Sequence, residues 1–185
     1  MALRLERQAI YLGTDDMPRE ALTSKVRDIA AARINPHIQQ VTLHPGRLSP
    51  LGSSSLGSVL VRIFAGVTAL PSADGGQHRI HNRDIATLQE AVSAALGQGD
   101  LSGGDEVLYG RAGLLLALLN VRTLASELDK GYREPLLPLC EDIPKLIDVI
   151  IMAGKQGTQD YEDMHGDEDA LPLMWPWHEK YYAGA

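Results

Sequence analysis

The stretch "DEVLYGRAGLLLALLNVR", residues 105–122, carries the decision about the fold. It places Gly110 and Gly113 three apart, immediately before a run of leucines. Glycine in a helix exposes backbone and loses more conformational entropy than alanine, so each one costs stability. A phosphate loop would follow the second glycine with Lys and Ser or Thr, whereas Leu114 and Leu115 follow here. The dinucleotide fingerprint needs three glycines after a strand, and Tyr109 is preceded by an acidic loop instead. What remains is a steric role: Gly110 and Gly113 lie on one side of a helix start and let a neighbouring backbone come close. Leu114, Leu115, Leu116, Ala117, Leu118 and Leu119 are apolar all round, which predicts a helix enclosed by protein on every side.

Around that helix the pattern is amphipathic. "RDIATLQEAVSAALGQG" puts Ile85, Leu88, Val92, Ala95 and Leu96 on one side, with Gly97 as the stop. Further on, Ile143, Leu146, Ile147, Ile150 and Ile151 form one stripe, with Gly154 closing the helix. Upstream, "SVLVRIFAGVTAL" (58–70) has the length of a buried helix, although its β-branched residues leave a strand open. "PREALTSKVRDIAAARINPHIQQVTL" has Leu22, Val26, Ile29 and Ala30 at helical spacing, with a break or kink at Pro36. Residues 1–18 read as an irregular lead-in, and "TQDYEDMHGDED" (158–169) as an acidic loop. The expectation is an all-α chain in which an inner helix is flanked by outer ones, the arrangement of an α/α barrel. Its parts would be a lead-in over 1–18 and one incomplete barrel domain over 19–185.

The totals narrow the function classes. A chain of 185 residues can hold one ordinary domain with a real core. The net charge of −7, with no Lys/Arg-rich block, speaks against nucleic acid as a partner, since phosphate binding needs clustered cations. A single cysteine, Cys140, leaves no internal disulfide framework and points to a reducing compartment. No signal-peptide core and no membrane-spanning run is legible, so a cytoplasmic protein is expected. At the far end Trp175, Trp177, Tyr181 and Tyr182 crowd together, and such side chains need a surface to bury against. A chain that stops directly after them reads as cut short, which predicts apolar surface left uncovered and self-association.

"VLYGRAGLLLALLNVR" followed about sixty residues later by "LPLMWPWHEKYYAGA" resembles the lanthionine synthetase C-like (LanC-like) family, its eukaryotic branch most of all. The resemblance implies a double-layered α/α barrel whose inner helices begin at Gly-x-x-Gly motifs. It also implies a zinc ion held by two cysteines and a histidine, which activates a thiol for addition to dehydroamino acids in peptides or proteins, with glutathione as the thiol in eukaryotic members. The chain departs from that pattern in having neither the family's Ala-His-Gly nor its zinc ligands. Its first expected Gly-x-x-Gly is replaced by "GSSSLGSVLVRIFAGV" and one helical hairpin is missing. The expectation is therefore the first half of such a protein, shortened internally, inactive alone and without a cofactor of its own.

The motif residues Tyr109, Gly110, Arg111, Ala112 and Gly113 are assigned a structural role. Arg111 is expected to cap a neighbouring helix C-terminus, the alternative being contact with an anionic ligand such as glutathione. Arg4 matches the resemblance only through an Arg near the start of animal members tied to ligand recognition, and His178 only through its place near the family's cleft. Neither the "HGDEDA" acids nor the histidines of "HRIH" (78–81) have the spacing of a metal site, and Cys140 reads as a core residue. Competing functions are a non-catalytic helical scaffold, a peripheral membrane partner among its possible roles, and a glycan-processing α/α barrel. The last needs two opposed carboxylates, for which Asp105 and Glu106 are the suggestive pair.

Overall fold

The computed structural model describes residues 43–44, 46–68, 80–97, 104–128, 130–177 and 180–183. The lead-in over 1–18, the helix proposed before Pro36, Arg4, His78 and His178 lie outside them. The described chain is mostly helical, as the periodicities predict. Helix α1 spans Ser54–Thr68, α2 Asn82–Leu96 and α3 Arg111–Ser126. Two short turns, α4 (Lys130–Arg133) and α5 (Leu137–Glu141), flank a 3₁₀ turn at Glu134–Leu136. Helix α6 runs over Ile143–His165, and a hairpin of β1 (Met174–Trp177) and β2 (Lys180–Ala183) follows.

The helix starts follow local chemistry. Ser53 precedes α1, and its Oγ accepts the Leu56 amide at 3.3 Å, satisfying one of the orphan donors of the first turn. This cap resolves the open choice over 58–70 in favour of helix, starting four residues earlier than the apolar run. Pro144 opens α6, where its missing N–H costs nothing. At the other end of α6, Gly166 takes φ +86° and its amide bonds the Glu162 carbonyl at 2.8 Å, a glycine stop in the left-handed region.

One apolar core joins these pieces. Leu56, Val59 and Ile63 of α1 meet Leu88, Ala91, Val92 and Ala95 of α2, Leu114, Leu118, Val121 and Ala125 of α3, and Ile143 and Leu146 of α6. Leu136 and Leu139 from the short turns close it. Between α1 and α2 the core holds one charge pair: Arg62 Nε donates to Asp84 Oδ2 at 2.9 Å, and Asp84 is buried. Sequence periodicity leaves no trace of this pair, because Arg62 sits in an apolar run and Asp84 in a helix first turn.

Three expectations are corrected. First, α3 is not enclosed on every side: Gly113, Leu114, Ala117, Leu118 and Val121 are buried, whereas Leu116 is 45% exposed. A run of leucines carries no periodicity of its own, so its solvent side was illegible. Second, Gly154 does not close α6, which continues through the acidic stretch to His165. There Gln156–Asp160 and Gln159–Asp163 side-chain bonds at 2.8 and 3.1 Å tie successive turns. Third, the aromatic stretch 174–183, for which the all-α reading foresaw no strand, forms a hairpin, with Trp175↔Tyr182 and Pro176↔Tyr181 in register.

The second and third corrections share a cause. Gly154 and Gly157 on α6 form the seat of β1. A Cβ at Gly154 would stand 2.6 Å from Trp175 Cζ2, and one at Gly157 would overlap the Met174 carbonyl oxygen. Trp175 Nε1 donates to the Ile150 carbonyl at 3.0 Å, and Thr158 Oγ1 donates to the Leu171 carbonyl at 2.8 Å. The Tyr161 ring meets Tyr181 edge-on, with centroids 5.8 Å apart. Trp175 and Tyr181 thus each pack against α6. Gly157→Val is expected to detach the hairpin, since backbone cannot yield to the added methyls and overpacking costs on the order of 1–3 kcal/mol or more. A red shift in tryptophan emission and a lower Tm would register it, while far-UV helix content should change little.

Candidate functional site

At the glycine motif several chain segments converge with buried polar groups. Gly110 is the N-cap of α3, with extended backbone and no side chain to cap the helix. The lead-in loop of residues 104–110 supplies the contacts instead. The Gly110 amide bonds the Glu106 carbonyl at 3.0 Å and the Arg111 amide bonds the Gly104 carbonyl at 3.2 Å. A Cβ on Gly110 would stand 2.7 Å from the Glu106 amide nitrogen. Gly104 itself takes φ +57°, a left-handed turn that glycine adopts at no steric cost.

A second segment, residues 48–53, packs into the same corner. The amides of Leu48 and Ser49 both donate to the Tyr109 carbonyl, at 2.9 and 3.0 Å. Ser49 is fully buried; its hydroxyl donates to the Val107 carbonyl at 2.8 Å and accepts the Leu51 amide at 3.1 Å. Gly113 is where these strands of chain cross α3, and a Cβ there would overlap both the Val107 carbonyl oxygen and Ser49 Oγ. The glycine reading is thus a contact with two named groups. Ser49 was missed in the sequence, where it stands in a turn-rich connector and has no motif of its own.

The charged residues of the motif are used internally. Glu106 accepts the amides of Leu108 and Tyr109, a carboxylate closing its own turn. Arg111 Nε lies 3.3 Å from Asp105 Oδ1, with both side chains largely buried. Neither of those two atoms has an aligned hydrogen bond, so the pair acts through charge alone. Arg111 therefore serves its own lead-in loop rather than a neighbouring helix end, which corrects the capping expectation. Desolvation of the buried carboxyl pushes Asp105 above the ordinary aspartate value, and the Arg111 guanidinium pulls against that rise. Arg47 completes the cluster from outside, its guanidinium carbon 5.5 Å from the Tyr109 ring centroid.

Asp105 and Glu106 are not the opposed carboxylates of a glycan-cleaving site, since one faces Arg111 and the other faces backbone amides. The residues described do not fit the zinc ion that the family resemblance implies either. Cys140 is half-buried against the core and its Sγ donates to the Leu136 carbonyl at 3.5 Å. Burial pushes its thiol above the ordinary value, with Arg122 pulling it back, whereas a zinc ligand needs the thiolate. Among the described residues no three His, Cys, Asp or Glu side chains converge as a metal cage. Nor, among them, is any helix long and apolar enough to cross a membrane.

Two outcomes follow from this corner. Gly113→Leu should lower Tm by more than Arg111→Lys, because the new side chain collides with backbone and a buried hydroxyl while lysine keeps a cation beside Asp105. The reverse ranking in thermal melts would make the buried charge, not the glycine, the controlling feature. For Asp105 the folded-state pKa is raised, so its stabilising contribution is full below the unfolded value near 3.8 and is lost as pH rises through the folded value. Urea melts of the wild type and Asp105→Asn should therefore diverge as pH rises above about 4, the wild type losing stability relative to the variant. Parallel curves would show that desolvation of Asp105 has no thermodynamic weight.

No protein-family model matches the chain, and no solved structure matches it.

Proposed function

We propose that this chain is a LanC-like helical unit, a partial α/α toroid in which α3 is the inner helix and α2 and α6 are outer ones. Its own residues frame a thiol-addition site rather than perform the chemistry. The observation that supports the reading is the start of α3. Gly110 caps a largely buried leucine helix and Gly113 admits a crossing segment against it, the steric use that a Gly-x-x-Gly inner-helix motif has in that family. The reaction class implied is addition of a thiol, glutathione in the eukaryotic branch, to a dehydroamino acid in a peptide or protein.

The charge state of the motif agrees with a framing role. Asp105, Glu106 and Arg111 spend their charges on one another and on local backbone, leaving no general base within the motif. Bound zinc would supply thiolate stabilisation, and no combination of the described residues provides its three ligands. A scaffold role without chemistry is the second reading, favoured by the same internal use of charge.

Alone, the chain is expected to retain no stoichiometric zinc after dialysis and to leave a dehydroalanine peptide unchanged in the presence of glutathione and added zinc. Mixed with a separately expressed zinc-bearing part of a LanC-like protein, it should co-elute and raise that part's addition rate at least about tenfold, the scale of correct positioning. Turnover by the chain alone would overturn the framing role. Failure to associate with the zinc-bearing part would overturn the family reading and leave the scaffold.

A further inference from the structure

Strand β1 meets glycines of two different elements, and its ladder geometry explains how. Pro176 has no N–H, so Pro176↔Tyr181 cannot be a hydrogen-bonded pair, and the ladder bonds fall on Trp175↔Tyr182 and Trp177↔Lys180. The carbonyls of Met174 and Pro176 therefore both point away from β2, off the same edge of β1. The Met174 carbonyl lies on Gly157 of α6, where a Cβ would overlap it. The Pro176 carbonyl lies on Gly104, where a Cβ would stand 3.8 Å from its oxygen. Gly104 belongs to the loop that opens α3, so one edge of β1 bridges that loop to α6.

Both ends of the bridge are fastened. Gly104 takes its left-handed turn at φ +57°, and its carbonyl accepts the Arg111 amide at 3.2 Å. A Cβ on Gly110 would overlap that same carbonyl oxygen, so Gly104 is packed against the start of α3 as well as bonded to it. The next residue is Asp105, whose carboxylate is buried beside Arg111. At the other end, Trp175 Nε1 donates to the Ile150 carbonyl and Thr158 Oγ1 to the Leu171 carbonyl. The two outward carbonyls are two residues apart, about 7 Å along a strand whose φ is fixed at Pro176. A piece of chain that short and stiff transmits a displacement instead of absorbing it.

We propose that β1 is a latch on the glycine motif: its seat on α6 holds the 104–110 loop closed over the start of α3, and lifting the hairpin opens that loop as one local event. In the closed form Asp105 and Arg111 face each other at low exposure, and the Gly110 and Arg111 amides are bonded to the Glu106 and Gly104 carbonyls. Opening gives both charges and both amides to solvent together. The core between α1 and α2 is fastened separately, through Leu56, Val59, Leu88 and Val92, and stays folded when the latch lifts. Anything that engages the hairpin thus acts on the charge pair of the motif without touching it. The inference does not rest on the LanC-like reading, because it uses the contacts of β1 and of the loop alone.

Native-state hydrogen exchange of the 185-residue chain tests it, since groups that open together share one opening equilibrium. After correction for intrinsic rates, the Trp175 indole N–H and the amides of Gly110 and Arg111 should open alike in the wild type, and more often than the Ala91 and Val92 amides of α2. Thr158→Val removes the hydroxyl that donates to the Leu171 carbonyl and leaves the glycine groove intact. It should speed exchange at all three probes by one common factor, about two- to tenfold, the scale of a net hydrogen bond, with Ala91 and Val92 unchanged. Gly157→Ala should do the same more strongly. Coupling is reciprocal, so Gly110→Ala, whose added methyl meets Gly104 and Glu106, should speed exchange of the Trp175 indole. If the indole opens more often in Thr158→Val while Gly110 and Arg111 keep their protection, the contacts are independent and the latch fails. Equal losses at Ala91 and Val92 sink it as well, because the hairpin would then open only with the whole fold. Probes that move in neither Thr158→Val nor Gly157→Ala, or an indole indifferent to Gly110→Ala, overturn the coupling.

Discussion

The contact on which the described structure depends is the crossing at Gly113, where the buried Ser49 hydroxyl and the Val107 carbonyl meet the first turn of α3. An unpaired buried hydroxyl costs on the order of 1–3 kcal/mol, so Ser49 can sit there only because both its donor and acceptor capacity are taken. Its partners come from the loop before α3 and from its own turn. The glycine, the serine and the loop are thus one unit, and substituting any of them disturbs the other two. Through Leu48 and the Tyr109 carbonyl the same unit anchors the segment that leads into α1. The packing of α1 against α2 and of α3 against α6 starts from this corner.

Among the described residues two glycine pairs on helices are used in opposite senses. On α3 the pair Gly110 and Gly113 admits backbone to the start of a helix. On α6 the pair Gly154 and Gly157 admits a strand to the middle of one, where glycine costs about 1 kcal/mol per residue relative to alanine. Helix α6 tolerates that cost because Trp175 and Met174 fill the groove the missing side chains leave, and because the indole donates to the Ile150 carbonyl. The covered edge of β1 follows from the same groove.

Charge inside the fold is kept local. Arg62 is held by Asp84 and Arg111 by Asp105, each pair bridging two segments at low exposure. Burial makes such pairs expensive, and breaking one by removing a partner is worse than never having built it. Their value here is positional: one sets the approach of α1 to α2, the other ties a loop to the helix it introduces.

What the sequence by itself determined is the part governed by short-range rules. The 3.6-residue period of Ile85, Leu88 and Val92, the Ile143–Ile151 stripe, and Gly110 ahead of the leucine run each dictate a helix and its approximate start. The steric meaning of Gly113 was also legible, because glycine next to an apolar helix has few other uses. Tertiary structure alone decided which side of α3 meets solvent, since six consecutive apolar residues look alike from every direction. It decided that Gly154 would seat a strand instead of ending a helix, a choice made by Trp175 twenty-one positions away. It decided, too, that Arg111 would face Asp105 and that Ser49 would lie beneath Gly113. Such partners are set by where separate segments cross in space, and the spacing of residues along a chain carries no record of those crossings.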